Sequence, residues 1–273
     1  MTSDARNRPG TYTRPADEAP SRANGWHGDL ASVRVAASEL RMPGRGYHAW
    51  LEHFHAALKP ATYLEIGVAT GQALALARPP TRVIGVDPVP TINYEFKTET
   101  YLFTEMSDEF FARGRLAFLL DGHPLALAFI DGAHLFEQVL GDFINIESHC
   151  GPWSVVLIHD TVPLDEASQE RVQRTAFYTG DIWKTVLCLK HYRPDLDIFT
   201  IATPWTGLTV VTGLNPASRV LENCYEEAKQ RFTDMPFSDF EPRLRDALNL
   251  VPNDWEDVQR RLEARGILQP AKF

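Results

Sequence analysis

Four acidic residues lie at the ends of short apolar runs in this chain: Glu65, Asp87, Asp131 and Asp160. Carboxylates are costly to bury unless they are paired or hydrogen-bonded, so four of them at strand ends are hard to explain as core packing. Parallel strands end at one edge of a sheet, where open α/β folds bind their ligands. We therefore predict that the acids share a ligand-binding crevice, although Asp131 or Asp160 taken singly could instead cap a helix.

The turn after the first of these strands indicates the kind of ligand. Gly67 and Gly71 follow Glu65, but the chain lacks the G-x-G-x-x-G spacing that brings bare backbone close to a pyrophosphate. Asp87 follows a second apolar strand about twenty residues later, where a carboxylate accepts hydrogen bonds from ribose hydroxyls. The pattern favours a nucleoside without phosphates and with an amino-acid tail, as in S-adenosylmethionine. The alternative is a tight strand-to-helix turn with no ligand.

Two histidines stand beside the later acids. His134 follows the sequence Asp131-Gly132-Ala133, and an imidazole there could take the proton from a substrate hydroxyl or could cap the next helix. His159 precedes Asp160, and together with Asp131 these two supply a partial metal shell. The two carboxylates suit Mg²⁺, whereas the imidazole favours Mn²⁺, Fe²⁺ or Zn²⁺. A site without metal is equally open.

Elements that alternate between strand and helix must position these residues. Apolar runs predict five strands, each buried on one or both faces, and then a hairpin, with helices between them. This order predicts a Rossmann-like, doubly wound α/β fold, with a seven-stranded, mostly parallel sheet, one antiparallel strand and helices on both faces. The predicted strands cover residues 62–66, 82–86, 100–104, 125–130, 154–158, 197–202 and 208–212.

The two ends of the chain differ from this middle part. Residues 1–24 combine prolines with polar and charged residues, which predicts a flexible arm. We assign the main domain to residues 25–215 and a helical C-terminal extension to residues 216–273. Apolar positions on the extension, such as Leu221, Tyr225 and Phe232, could support a homo-oligomer or could pack against their own sheet.

Composition narrows the class of partner. The net charge is −9, which argues against broad nucleic-acid binding, and no apolar run reaches the roughly 20 residues of a membrane span. The sequence shows no secretory leader, and its three cysteines are far apart, as expected of free thiols in a reducing cytosol. We therefore expect a cytoplasmic protein that acts on a small molecule.

Taken together, these motifs resemble those of the class I S-adenosylmethionine-dependent methyltransferases. The elements Ile130-Asp131-Gly132-Ala133-His134 and Ile158-His159-Asp160-Thr161 are similar to those of the branch with macrocin O-methyltransferase-like and cephalosporin hydroxylase-like proteins. The resemblance implies O-methylation of a sugar or secondary-metabolite hydroxyl, with S-adenosylhomocysteine as product. Two alternatives stay open: a hydroxylase-like enzyme of another class and a nucleoside-binding protein without catalysis.

The resemblance also implies a role for each site residue. The methionine end of the cofactor would be held by the first turn, the ribose by Asp87, the adenine by the start of a later helix, and Asp131 would lie beside the sulfonium. In metal-using relatives the matching ligands are Asp131, His159 and Asp160, but an acid is more usual at His159. Some sugar-modifying relatives carry an acidic base at the position of Ala133, so His134 would serve as base here, or a metal would lower the pKa of the hydroxyl. The implied catalytic residues are His134, Asp131 and Asp160. The implied cofactor-binding residues are Glu65, Gly67, Val68, Gly71, Asp87, Ser107, Asp108 and Asp131.

Overall fold

A computed structural model describes residues 26–269 of the chain. The predicted arm at residues 1–24 lies outside the described residues. None of the described helices is both long enough and apolar enough to cross a bilayer. The predicted boundaries at residues 25, 215 and 216 remain predictions.

One mixed sheet of eight strands organises the described chain, in the order β3-β2-β1-β4-β5-β7-β6-β8. Strand β7 is antiparallel to both of its neighbours, and the other pairings are parallel. The prediction of a mostly parallel sheet with one antiparallel strand is therefore confirmed. The strands are β1 (Thr62–Ile66), β2 (Arg82–Val86), β3 (Glu99–Phe103), β4 (Leu125–Ile130), β5 (Cys150–His159), β6 (Asp197–Ile201), β7 (Leu208–Thr212) and β8 (Leu250–Val251).

The predicted count of seven strands is wrong by one. Strand β8 lies in the C-terminal extension and pairs in parallel with the end of β6, through Thr200 with Leu250 and Ile201 with Val251. A two-residue strand is too short to show the alternation of apolar and polar residues by which strands are recognised. It forms because the neighbouring edge of β6 offers unpaired backbone groups.

Helices cover both faces of the sheet. Between β1 and β2, however, the expected helix is replaced by a single 3₁₀ turn, Leu74–Leu76. Gly71, with φ +83°, and the Pro79-Pro80 pair interrupt helical backbone on either side of this turn. The α-helices are α1 (Trp26–Arg41), α2 (Tyr47–Leu58), α3 (Ser107–Ala112), α4 (Arg115–Leu120), α5 (Phe136–Glu147), α6 (Trp183–Tyr192), α7 (Val220–Phe232), α8 (Phe237–Phe240), α9 (Leu244–Ala247) and α10 (Trp255–Ala264).

The core consists of two apolar clusters, one on each face of the sheet. Alternate residues of a strand point to opposite faces, so Leu64 enters the first cluster and Tyr63 the second. The C-terminal extension contributes to both clusters: Leu221 and Phe232 are buried in the first and Val258 in the second. Leu221 and Phe232 therefore pack onto their own sheet, and the homo-oligomer stays a prediction.

Strands β1 and β4 are neighbours at the centre of the sheet, and the chain leaves them in opposite directions. Such a switch point opens a crevice at the carboxyl ends of the strands, which is the usual ligand position in open α/β folds. The two strand ends approach closely, because a Cβ added to Gly67 would lie 2.0 Å from the carbonyl oxygen of Asp131. The backbone at Gly67 also has φ +86°, so both space and conformation require glycine there.

Candidate functional site

The first acid of the crevice, Glu65, is fully enclosed by the sheet. The Tyr63 hydroxyl donates a hydrogen bond to Glu65 Oε2 at 2.7 Å. Burial raises the pKa of Glu65 well above its ordinary value, and the charges of Asp131 and Asp87 add to this against the opposing Tyr63 hydrogen bond. A positively charged ligand group at this edge, such as an ammonium, would stabilise the ionised form of Glu65.

The turn after β1 is held in shape by Asp87. Its Oδ2 accepts a hydrogen bond from the amide of Ala69 at 2.8 Å, and its Oδ1 accepts one from the amide of Val89 at 2.8 Å. Ala69 has φ +48°, a backbone region that costs energy for residues other than glycine. Asp87 thus joins the ends of β1 and β2, and each carboxylate oxygen keeps a lone pair for a ligand.

The segment after β2 runs beside the same turn. The amides of Thr91 and Asn93 donate to the carbonyls of Ala69 and Thr70 at 2.8 and 2.9 Å. A Cβ added to Gly71 would lie 3.1 Å from the ring of Phe96, so this segment packs directly on the turn. It forms one wall next to the predicted ribose position.

Ser107 and Asp108 begin α3, after β3. Gln138 Nε2 on α5 donates to Ser107 Oγ at 3.1 Å and to Asp108 Oδ1 at 3.0 Å, so one side chain fixes both. Asp142 lies buried in the same region, where burial raises its pKa to about 7. The assignment of Ser107 and Asp108 to an adenine stays a prediction.

Two histidines and two carboxylates form a connected cluster at the ends of β4 and β5. His159 Nδ1 lies 3.2 Å from Asp131 Oδ1 and 3.5 Å from Asp160 Oδ1. His134 Nε2 lies 3.3 Å from Asp160 Oδ2. The cluster therefore runs in the order Asp131, His159, Asp160, His134, and the structure brings all four predicted residues together.

The histidines and aspartates of this cluster stabilise each other's charged forms. Burial disfavours the charged imidazole of His159, but Asp160 and Asp131 outweigh that cost and raise its pKa to about 10. Burial likewise opposes ionisation of Asp160, yet the charges of His159 and His134 and hydrogen bonds from His159 and Thr206 hold the pKa of Asp160 below its ordinary value. Asp160 also has φ +57°, a left-handed conformation that costs energy for residues other than glycine, although aspartate adopts it more readily than most.

His134 has an environment different from that of His159. Its ring stacks on Tyr178 with 5.2 Å between centroids and 5° between planes. Its Nδ1 is buried and, among the described residues, has no hydrogen-bond partner. A Cβ added to Gly180 would lie 1.9 Å from the His134 carbonyl oxygen, so the segment between β5 and α6 packs tightly on this histidine.

Three neighbours of the cluster were not predicted from sequence. The Tyr47 ring lies 4.0 Å from the His159 ring, and burial with the nearby acids raises the pKa of Tyr47 far above its ordinary value. Thr206 Oγ1 lies 3.3 Å from His159 Nε2, and Tyr178 covers His134. Tyr47 fits the helical spacing of α2, and the other two lie in loops, so no local pattern distinguishes them.

A divalent metal fits this cluster through three residues. Among the described residues, one donor atom each from Asp131, His134 and Asp160 lie within 4.8 Å of one another. The predicted set had His159 in place of His134, but His159 Nδ1 already faces both carboxylates. The geometry therefore favours His134 as third donor, and two carboxylates with an imidazole suit Mn²⁺, Fe²⁺ or Zn²⁺ better than Mg²⁺.

Comparison with known families identifies the central part of the chain. Residues 64–161 match the family model of a methyltransferase domain. This segment runs from β1 to just beyond β5 and contains every predicted site residue. The expected methyltransferase resemblance is therefore confirmed for it. Among proteins of curated function, none matches the chain.

Solved structures with similar backbones are distant in sequence. Cofactor-bound Rv0187 from MTB is 16% identical over 71% of this chain and 92% of its own, with a TM-score of 0.47. The O-methyltransferase TomG from Streptomyces achromogenes is 16% identical over 68% and 90%, with a TM-score of 0.44. An O-methyltransferase from Bacillus cereus is 14% identical over 71% and 93%, also with a TM-score of 0.44. Similarity this low does not assign an activity.

Proposed function

We propose that this chain, whose residues 64–161 form a methyltransferase domain, transfers a methyl group from S-adenosylmethionine to a hydroxyl of a small molecule. One observation carries the proposal. Glu65, Asp87 and Asp131 end on one edge of the sheet around a glycine-containing turn, and a histidine–aspartate pair lies directly beside them. The domain match favours methyl transfer over the hydroxylase-like and non-catalytic alternatives.

The residues of the first turn and of β2 would hold the cofactor. Glu65 would receive its ammonium, Gly67, Val68 and Gly71 its methionine end, and Asp87 its ribose hydroxyls. The ammonium would stabilise the ionised form of Glu65, because its positive charge would oppose the rise in pKa that burial causes. S-adenosylmethionine, when bound, supplies a methyl group already activated for transfer to a nucleophile.

His134 would act as general base toward the acceptor hydroxyl. Because Nδ1 is buried, the proton released from the acceptor oxygen would go to Nε2, which lies 3.3 Å from Asp160 Oδ2. Asp160 would stabilise the imidazolium that results. His159, between Asp131 and Asp160, would keep both carboxylates in place.

A divalent metal would be held by Asp131, His134 and Asp160. Bound there, it would lower the pKa of an acceptor hydroxyl, so that base catalysis by His134 would be replaced by metal coordination. The two arrangements compete for the same imidazole. Titration of the protein with Mn²⁺ and measurement of the free ion by electron paramagnetic resonance separates them, because binding that His134→Ala abolishes supports the metal arrangement.

The direct test is transfer of a labelled methyl group. The protein is incubated with methyl-labelled S-adenosylmethionine and a panel of glycosides, phenols and polyketide-like alcohols, and the products are separated and identified by mass. We expect at least one acceptor to gain a labelled methyl on oxygen, with loss of transfer in Asp131→Asn. Label on carbon or nitrogen, or equal transfer by Asp131→Asn, would contradict the proposal.

The scattered cysteines further lead us to propose a cytoplasmic location.

A further inference from the structure

Helix α1 carries its polar residues toward the protein. Arg34 Nε donates to Asp165 Oδ2 at 2.8 Å, and Arg41 Nη1 donates to the carbonyl of Pro163 at 3.3 Å. The Ser38 hydroxyl donates to the carbonyl of Trp205. Ser38 is the one buried residue between positions 30 and 41. Helix α1 is therefore held to the rest of the chain by hydrogen bonds and ion pairs more than by apolar packing.

The side of α1 that faces solvent, next to these anchoring residues, is apolar. Leu30, Val33 and Leu40 are 49%, 61% and 85% exposed, and Ala37 between them is exposed too. A helix on the surface of a globular protein normally shows the reverse arrangement, with its apolar stripe facing the core. The contacts of Arg34, Ser38 and Arg41 prevent α1 from turning this stripe inward. We call Leu30, Val33, Ala37 and Leu40 the α1 seam.

The spacing of the α1 seam indicates what covers it. Positions 30, 33, 37 and 40 follow the alternation of three and four residues that characterises the a and d positions of a coiled coil. Such a seam packs against another helix with the same spacing, and a second α1 has it. The small Ala37 near its middle lets two helices approach closely, and the span from Leu30 to Leu40 gives a contact about 15 Å long.

We propose that two copies of this chain associate through their α1 seams in an antiparallel pair. The antiparallel direction aligns the two helix dipoles favourably and places Leu30 of each copy opposite Leu40 of the other. Because the same patch serves both copies, the pair closes with twofold symmetry and does not extend further. The proposal is independent of the methyl transfer proposed above.

Trp205 extends the apolar surface beside α1. It is 52% exposed, and its indole Nε1 donates to Glu39 Oε1 on α1 at 3.1 Å. Tryptophan is among the residues that contribute most to protein interfaces. The residue after it, Thr206, contacts His159 of the candidate site, so pairing of α1 would hold the helix against the catalytic edge.

The test compares masses of the full-length chain in solution. Size-exclusion chromatography with light scattering should give twice the 30.8 kDa of one chain for the natural protein and a single-chain mass for Val33→Glu/Leu40→Glu. Phe118→Glu is the matched control, because Phe118 on α4 is 85% exposed like Leu40, and this variant should stay dimeric. Unchanged circular dichroism in both variants shows that the changes act on association and not on folding.

Three outcomes would overturn the proposal. A monomeric natural protein would show that the seam is not paired between copies, and a protein that dimerises only after removal of residues 1–24 would show that its own N-terminal residues cover it. A double variant that stays dimeric would place the interface elsewhere. The direction of pairing is tested by oxidative cross-linking: Leu30→Cys and Leu40→Cys chains should cross-link when mixed, and cross-linking of either alone would contradict the antiparallel arrangement.

Discussion

His134 and His159 lie in one acidic cluster yet differ in their contacts. His159 contacts both carboxylates through Nδ1 and Thr206 through Nε2, so both of its nitrogens are engaged within the protein. His134 contacts Asp160 through one nitrogen and keeps the other without a described partner. These contacts support the proposal that His134 takes the proton and that His159 positions Asp131 and Asp160.

Replacement of His134 by alanine should lower turnover roughly 10²–10⁴-fold, because a general base contributes about that much. The affinity for S-adenosylmethionine should stay within about threefold of the natural protein, since His134 is remote from Glu65 and Asp87 in the proposed roles. Steady-state kinetics and calorimetric titration measure the two quantities. His149→Ala at the opposite end of β5 serves as control, and unchanged turnover in His134→Ala would remove the base assignment.

His55 should make the fold sensitive to acid. It is buried against Tyr63, and, among the described contacts, neither ring nitrogen has a hydrogen-bond partner. Burial, with a smaller effect of Arg78, lowers its pKa to about 4 from an ordinary value of 6.5. Because the unfolded chain binds this proton more readily, stability is intact above pH 6.5 and is lost as the pH falls toward 4, by up to about 3 kcal/mol.

Denaturant unfolding of the natural protein and of His55→Met at pH 4.5 and 7.5 checks this expectation. The variant should lose less stability than the natural protein between the two values, since it has no proton to take up at this position. An equal loss in both proteins would show that other groups dominate the acid response.

At the scale of elements, the apolar runs were sufficient to predict the strands and the acids at their ends. The pattern failed where elements are short: β8 has two residues, and only one 3₁₀ turn forms before Pro79-Pro80. It also could not show which loop residues return to the site. Tyr178 and Thr206 reach the histidines only through the packing of whole segments, and no local spacing encodes that.

The segment between β5 and α6 is attached to α5 through Asp181. Asp181 Oδ1 accepts a hydrogen bond from the amide of Phe136 at 2.8 Å, and Oδ2 accepts from Arg171 at 2.7 Å and from Lys184 at 3.2 Å. The Asp181 side chain is fully buried. This carboxylate therefore caps α5, which begins two residues after His134, and pairs with two cations.

Replacement of Asp181 by alanine should destabilise the protein by about 3–5 kcal/mol, because it leaves the buried Lys184 without its carboxylate and the end of α5 without a partner. Chemical unfolding measures the loss. Glu170→Ala is the control, since Glu170 pairs with the largely exposed Arg174 and should change stability by less than about 1 kcal/mol. Similar losses in the two variants would contradict the role given to Asp181.

At the scale of the whole molecule, the C-terminal extension is part of the core. Helix α7 places Phe232 at 3% exposure in the first cluster, while Val220 at its start is 45% exposed. Phe232→Ala should cost about 3–5 kcal/mol and Val220→Ala less than about 1 kcal/mol in thermal or chemical unfolding. Equal, small effects would mean that the extension packs loosely on the sheet.

The sequence located the crevice acids correctly as a group, because parallel strands must end at one edge. It did not distinguish the roles of the two histidines, since both follow strands and both neighbour an acid. That distinction depends on ring orientation: His159 faces the carboxylates, and His134 stacks on Tyr178. No local pattern in the sequence indicates where the proposed acceptor would bind.

The central claim is that this edge of the sheet binds an adenosyl amino acid, and calorimetric titration with S-adenosylhomocysteine tests it most directly. We expect one site per chain in the natural protein and a roughly 10–100-fold weaker affinity in Asp87→Ala, which removes a hydrogen-bonded charge. His149→Ala should bind like the natural protein. No binding by the natural protein, or equal affinity in Asp87→Ala, would contradict the account.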